Sequence, residues 1–250
     1  MRLGLGLGLG LCGGAPPWTP LVLGSKLKFW GREDATVISG KASRWTDKSG
    51  TGTAFTDNGS ALIRPAYTAS GGPGGHAYLT SNGTSQYLAG PTLLSGVATA
   101  TAYEMYLVAR VNMIGTDAAD FYNNDALISS DDARFGITVK STGPTIVVGN
   151  YDGSFDVATA TISTGAWMRI RIRHESGTLG IKVNNGAEGT VASGATTPMT
   201  GSMSFFLAGA SGAIADADIA EAIVCNAVLT AAERSAIDAY HTARFGLTVA

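Results

Sequence analysis

Hydrophobic and polar positions alternate along much of this chain, most clearly between Trp167 and Val183. Met168, Ile170 and Ile172 fall on one side of an extended segment, and Arg169, Arg171 and Arg173 on the other. Such period-two alternation predicts a half-buried strand. Glu175 to Thr178 predicts a turn, after which Leu179, Ile181 and Val183 continue the apolar side, with Lys182 beside the arginines. Tyr103 to Val111 is apolar on both sides for most of its length, which predicts a central strand. Near the C-terminus the period changes. Asp218 to Ala227 reads as a strand, and Leu229 to Arg234 follows at once. Thr230 and Glu233 have the T-x-x-E spacing of a capping box. Ile237, Tyr240, Ala243 and Arg244 recur at helical spacing, and Gly246 stands where a helix stops.

Elsewhere, turn chemistry punctuates short β-prone runs at Asp57-Asn58-Gly59, Ser70 to Gly75, Ser81-Asn82-Gly83, Asp152-Gly153 and Asn184-Asn185-Gly186. Many short strands and one terminal helix predict an all-β fold, an antiparallel jelly-roll β-sandwich with one short C-terminal α-helix packed against an edge. No composition break divides the chain and no internal repeat is visible. Residues 25–250 are therefore read as one domain, preceded by an extended N-terminal arm over residues 1–24. In that arm Leu3, Leu5, Leu7 and Leu9 alternate with glycine, which is a strand signal, and Pro16, Pro17 and Pro20 argue against regular structure beyond it. An arm or edge strand fits this pattern better than a signal segment. The stretch is too short and too rich in glycine to span a bilayer. Its leucines are candidate interface residues, able to add a strand to an open sheet edge of a neighbouring subunit.

Composition narrows the field. Of 250 residues, 45% are hydrophobic and only 14% charged, with a net charge of -2, so a large core is available and no electrostatic case exists for nucleic acid or a membrane surface. Cys12 and Cys225 are too few for a disulfide framework.

With these segments placed, the chain resembles the concanavalin A-like lectin/glucanase superfamily, especially its laminin-G-like and pentraxin-like branch. Leu27 to Trp30 and Trp45 to Gly50 look like the opening W…W-x-D-x-S-G strand and turn. Tyr78 to Leu88 is similar to the F-D-G-x-x-D-Y-L segment, with Ser81-Asn82 in place of Phe-Asp. The Trp167 hairpin and the terminal strand and helix complete the order. That order also resembles jelly-roll modules in virion proteins of tailed bacteriophages, which often begin with a Leu/Gly-rich lead and end in a pattern matched here by Glu221, Leu229, Glu233 and Arg234.

Catalytic chemistry finds little footing. Glucanases of the superfamily use E-x-D-x-x-E, yet none of the six glutamates (33, 104, 175, 188, 221 and 233) has an aspartate two residues on. Glu221 reads as a structural carboxylate pairing with an arginine. His76, His174 and His241 are scattered, with no zinc motif, and no G-x-S-x-G elbow occurs. Gly8, Gly10 and Gly13 match G-x-G-x-x-G only by virtue of the Leu-Gly repeat. Asn58 and Asn82 head glycosylation triplets but read as turn residues. The resemblance implies calcium at the sandwich rim, for which Asp216 and Asp218, with Asp47 and Asp57, are the candidates, although calcium wants six or more oxygens. Arg169, Arg171, Arg173 and Lys182 form a basic stripe, read either as arginines paired with acids on neighbouring strands or as an interface. Tyr122 and Tyr151, in loops rich in Asn and Asp, are glycan-binding candidates.

The expectation is a non-enzymatic structural or adhesive component of a tailed-phage virion, such as a head decoration, head fibre or tail fibre. It would be present in many copies or as a homo-oligomer, contacting other virion subunits and a host-surface glycan. The alternative is a carbohydrate-binding module, with a glycoside hydrolase behind it for want of paired carboxylates.

Overall fold

The computed structural model describes residues 18–94, 102–113, 125–132, 134–140, 144–151, 154–194, 201–208 and 212–248. Among them a 3-10 helix, Pro20–Lys26, leads into seventeen strands. The first seven are β1 (Leu27–Gly31), β2 (Ala35–Ile38), β3 (Lys41–Thr46), β4 (Ala54–Thr56), β5 (Ala66–Thr68), β6 (Tyr78–Asn82) and β7 (Leu88–Ala89). Then come β8 (Tyr103–Met113), β9 (Asp125–Ser130), β10 (Phe135–Lys140), β11 (Thr145–Tyr151) and β12 (Phe155–Thr161). The last are β13 (Met168–Glu175), β14 (Thr178–Val183), β15 (Gly189–Ala192), β16 (Met203–Phe205) and β17 (Asp216–Cys225), followed by one helix, α1 (Ala231–Phe245).

Pairing is antiparallel and sorts the strands into two layers. In the first, β15, β14, β13, β8 and β17 lie side by side. The far edge of β17 is shared by β6 along Asp216 to Ile219 and by β1 along Ala222 to Cys225. The second layer runs β12, β11, β10, β9, β16, β7, β4, β3 and β2. A single pairing, Lys41 with Ala66, joins β3 to β5 and so links the layers at one edge. The main core fills the space between them, with Met105, Leu107, Ile170, Ile172 and Ile219 from one side against Ile128, Ile137, Val148 and Phe205 from the other. An aromatic group anchors one end of this core: Phe205 lies 4.5 Å from Phe55 and 5.0 Å from Trp45, ring centre to ring centre.

Several local expectations hold. The hairpin turns at Ser176 and Gly177, both with positive φ, as a two-residue connection between twisted strands requires. β8 is central, paired on both sides with β13 and β17. Thr230 and Glu233 form the reciprocal capping box, and Gly246 ends α1 in the left-handed conformation at φ 67.

Two expectations change. Helix α1 does not sit at an edge. It covers the outer face of the first layer, where Tyr106, Ile223 and Cys225 are apolar and need cover, and it closes a second cluster with Leu23, Leu27, Trp30 and Ile237. Its buried side is Ile237, His241 and Phe245, while Tyr240 and Arg244 lie at its flank. Each apolar side chain so buried contributes on the order of 1.5–3 kcal/mol. The end of the arm is also folded: Pro20 occupies the first turn of a 3-10 helix, where its missing N–H costs nothing, and Leu23 enters the same cluster. Residues Leu3, Leu5, Leu7 and Leu9 lie outside the described residues.

Phe205 is fully buried against the rings of Phe29, Trp45 and Phe55, and β16 is only three residues long. Phe205→Ala should therefore lower unfolding free energy by about 3–5 kcal/mol, read from denaturant midpoints at constant slope.

Candidate functional site

Beneath α1 lies a layer of buried polar side chains that sequence reading did not anticipate. A bulge in β17 at Ala220–Glu221 shifts the alternation, so Glu221 faces the helix together with Ile223 rather than sharing a face with Ile219. Its partners are not arginine. Trp30 Nε1–H and the Tyr240 hydroxyl donate to Oε1 at 2.6 and 2.7 Å, and His241 Nε2 lies 3.1 Å from Oε2. A carboxylate only accepts, so the imidazole proton belongs on Nε2. Burial, and then the charge of Glu221, push the Tyr240 hydroxyl well above its ordinary pKa, which keeps it protonated and donating. Glu104, hidden in the apolar run of β8, repeats the device: it accepts from the Tyr106 hydroxyl at 2.7 Å, Arg234 Nε at 3.0 Å and the Leu229 amide at 3.2 Å. Burial and the Glu104 charge raise the Cys225 thiol to about 12, leaving it a small protonated hydrophobe. Lys26 and Glu233, 2.6 Å apart, tie the 3-10 helix to the first turn of α1.

This layer fixes one wall of a cleft of about 800 Å³ bounded by Trp18, Arg32, His76, Tyr240 and Arg244, with Ala236, Ala239 and Ala243 as the helix side. A second recess of about 660 Å³ runs on over the β1–β2 turn and shares Thr19 and Arg32 with the first. Trp18 and Tyr240 have ring centres 5.8 Å apart, and Tyr240 is 6.4 Å from Trp30. The Arg32 guanidinium lies 4.5 Å from the centre of the Trp30 ring, a cation–π contact. Glu33 is held by Arg244, and Asp34 by Lys48. Gly74 has φ +61, and a Cβ there would collide with the Arg244 carbonyl, so glycine lets the Pro73–Gly75 turn seat against the end of α1.

The residues singled out by sequence lie elsewhere. Arg169, Arg171 and Arg173 do share the outer face of β13, but the basic stripe is shorter than alternation implied. Arg169 is sealed under α1 and pairs with Asp238; burial lowers its pKa to about 10. Arg171 and Arg173 grip Glu188 at 2.9 and 2.8 Å, and Arg173 also meets Glu175 at 2.9 Å. Lys182 stands opposite Arg171 across the β13–β14 pair. Tyr151 ends β11 half-buried, packed 5.0 Å from Phe155, and Tyr122 lies outside the described residues.

Each of the four aspartates accepts hydrogen bonds from neighbouring groups. Asp218 accepts from Thr80 at 2.5 Å and Arg110 at 2.7 Å, and Asp216 from Asn112 at 3.3 Å. Asp47 organises the turn after β3: burial works against its charge, but donors from Ser49, Thr51 and Trp30 hold its pKa below the usual range. Asp57 accepts from Arg64 and the Gly59 amide. Among the described residues no three His, Cys, Asp or Glu side chains gather as metal ligands.

No family model and no curated protein matches the chain. Solved structures do. The binding domain of botulinum neurotoxin serotype G superposes with a TM-score of 0.62 at 12% identity, covering 84% of this chain and 50% of that one. The binding domain of botulinum neurotoxin DC, in complex with rat synaptotagmin II, gives 0.60 at 12% identity, covering 87% and 51%. Domain 4 of AbnA, an extracellular arabinanase from Geobacillus stearothermophilus, in complex with arabinotriose, gives 0.53 at 16% identity, covering 82% and 94%. The chain thus spans about half the length of the neurotoxin binding domains. At such identities the likeness establishes the fold alone, an all-β sandwich.

The Glu188 cluster gives a pH test. Hydrogen bonds from Arg173, opposed by burial and aided by Arg171, hold the Glu188 pKa at about 2 against an ordinary 4.5. A folded-state pKa below the unfolded one means stability present above about pH 4.5 and lost as pH falls through about 2. The stability gap between the parent and Glu188→Gln should shrink by roughly 1–3 kcal/mol between about pH 5 and pH 2 in denaturant titrations.

Proposed function

We propose that this chain is a non-enzymatic binding module whose helix-side cleft grips a glycan, and that it serves as an adhesive, multicopy component of a tailed-phage virion. The carrying observation is the cleft itself, in which Trp18 and Tyr240 stand beside arginine on a rigid buried base. Flat rings with polar neighbours suit the apolar faces and hydroxyl rims of sugars. Likeness to a neurotoxin binding domain and to an arabinanase domain in complex with arabinotriose supports the same reading. The acids around the cleft are engaged: Glu33 on Arg244, Asp34 on Lys48, and Glu221 in three buried contacts. Hydrolysis of a glycoside asks for two facing carboxyl groups free to act, so binding without turnover is the better account.

The virion setting rests on the order of sequence motifs, from the Leu/Gly lead to Glu221, Leu229, Glu233 and Arg234. There, weak single contacts would become tight attachment through repetition, which adds about 10²–10⁴ to affinity without new contacts. The Leu/Gly lead ahead of Trp18, with Leu3, Leu5, Leu7 and Leu9, would join neighbouring virion subunits.

A glycan array probed with the multimerised protein should give a restricted set of hits. Trp18→Ala should weaken them about tenfold, equivalent to about 1.4 kcal/mol. An array silent to the protein defeats the glycan reading, and immunogold labelling that finds none of it on purified particles defeats the virion setting.

A further inference from the structure

We propose that the cleft selects acidic sugars, with Arg32 as the fork that grips the sugar carboxylate. This deepens the glycan-binding reading and rests on it. The cleft between Trp18 and α1 is lined by two arginines, Arg32 and Arg244, and by no carboxylate. Arg244 is committed to Glu33 and Lys48 to Asp34, while Asp47 is taken up by Ser49, Thr51 and the Trp30 amide, so Arg32 is the cation here with no hydrogen-bonded counter-ion. The nearest acid to Arg32 is Glu33, with Nε 3.7 Å from Oε1, too far for a hydrogen bond. That Nε is buried and has no hydrogen-bond partner.

The guanidinium is also held in place before any ligand arrives. Its cation–π contact with Trp30 at 4.5 Å restrains it, and Trp30 is itself held by Glu221 at 2.6 Å. A fork oriented in advance loses little freedom when it closes on two oxygens of a carboxylate. Arg32 lines both the larger cleft and the recess over the β1–β2 turn, so it stands where the two meet. The rings of Trp18 and Tyr240, tilted 58° to one another, lie on the side of the larger cleft. A pyranose could lay its apolar face on a ring while its carboxylate reaches Arg32. An acidic peptide would use the arginine but has no comparable use for the rings, and Ala236, Ala239 and Ala243 present only small side chains on the helix side of the cleft.

The test is an array of uronate- and sialate-bearing oligosaccharides, each beside its carboxyl-reduced form, followed by calorimetry on the hits. The acidic member of a pair should bind at least about tenfold more tightly, as expected for a charged bidentate contact. Arg32→Gln should bring that ratio close to one, and Trp18→Ala should weaken both members together. If acidic and reduced forms bind alike, or if Arg32→Gln leaves the ratio unchanged in a folded protein, the acidic preference is wrong and glycan binding stands. If every oligosaccharide is silent while a poly-glutamate peptide binds, both readings fall. Circular dichroism and thermal unfolding of each variant separate lost recognition from lost fold.

Discussion

Glu221 is the constraint on which the helix side of this molecule depends. A carboxylate taken out of water costs several kcal/mol unless its oxygens are satisfied, and the side chain is only 1% exposed. Its three partners come from two different elements: Trp30 from β1, Tyr240 and His241 from α1. Moving any of these elements would leave a buried charge without compensation. The carboxylate therefore fixes the distance between the sheet and the helix more strictly than apolar contacts alone, which tolerate sliding. Glu104 does the same one strand over, pinning Arg234 and the Leu229 amide at the other end of the helix. Two such points define an orientation, and the cleft inherits it.

Local features were readable because their causes are local. The β13–β14 hairpin follows from period-two alternation around a two-residue turn, and the helix start from Thr230 and Glu233. The centrality of β8 followed from its apolar sides, yet the further step was missed: a strand apolar on both faces in a two-layer fold needs something over its outer face, and α1 is what is available. Glu104 within that run was a signal too, since an acid amid Tyr, Met and Leu must find a partner. Glu221 was expected to meet an arginine, and the bulge at Ala220–Glu221 that turns it toward Trp30 has no sequence signature. The cleft was illegible for a plainer reason. Trp18, Arg32, His76, Tyr240 and Arg244 are spread over most of the chain, and only the docking of α1 brings them together.

The arginines of β13 illustrate how a low-charge protein deploys the charges it has. Alternation placed three of them on one face correctly, but their meaning lay in Glu175 at the end of the same strand and in Glu188 and Asp238, which are remote from it in sequence. Arg173 is held more firmly protonated by Glu188, and Glu188 is held ionised by Arg173. A second polar group sits at the far end of the inner face. There the Tyr103 hydroxyl donates to Asn150 at 2.7 Å and the His174 ring stacks on Tyr103. Burial lowers the His174 pKa and raises that of Tyr103, so both are neutral near neutral pH and the core carries no charge at that end.

With most ionic groups matched pairwise, long-range attraction contributes little to what this protein meets, and a net charge of -2 offers no steering. Recognition must then come from short-range fit, and short-range fit needs a surface that does not rearrange. The helix-side cleft meets that requirement in part, because Tyr240 and the Trp30 ring beside Arg32 rest on buried hydrogen bonds to Glu221, whereas Trp18 and Arg32 themselves come from connecting segments. A ligand entering such a site would spend little of its binding energy on ordering the protein. Weak, preorganised and repeated contact is the physical basis on which an adhesive module in a multicopy array would hold to a surface, and a single tight pocket would add nothing that repetition does not already supply.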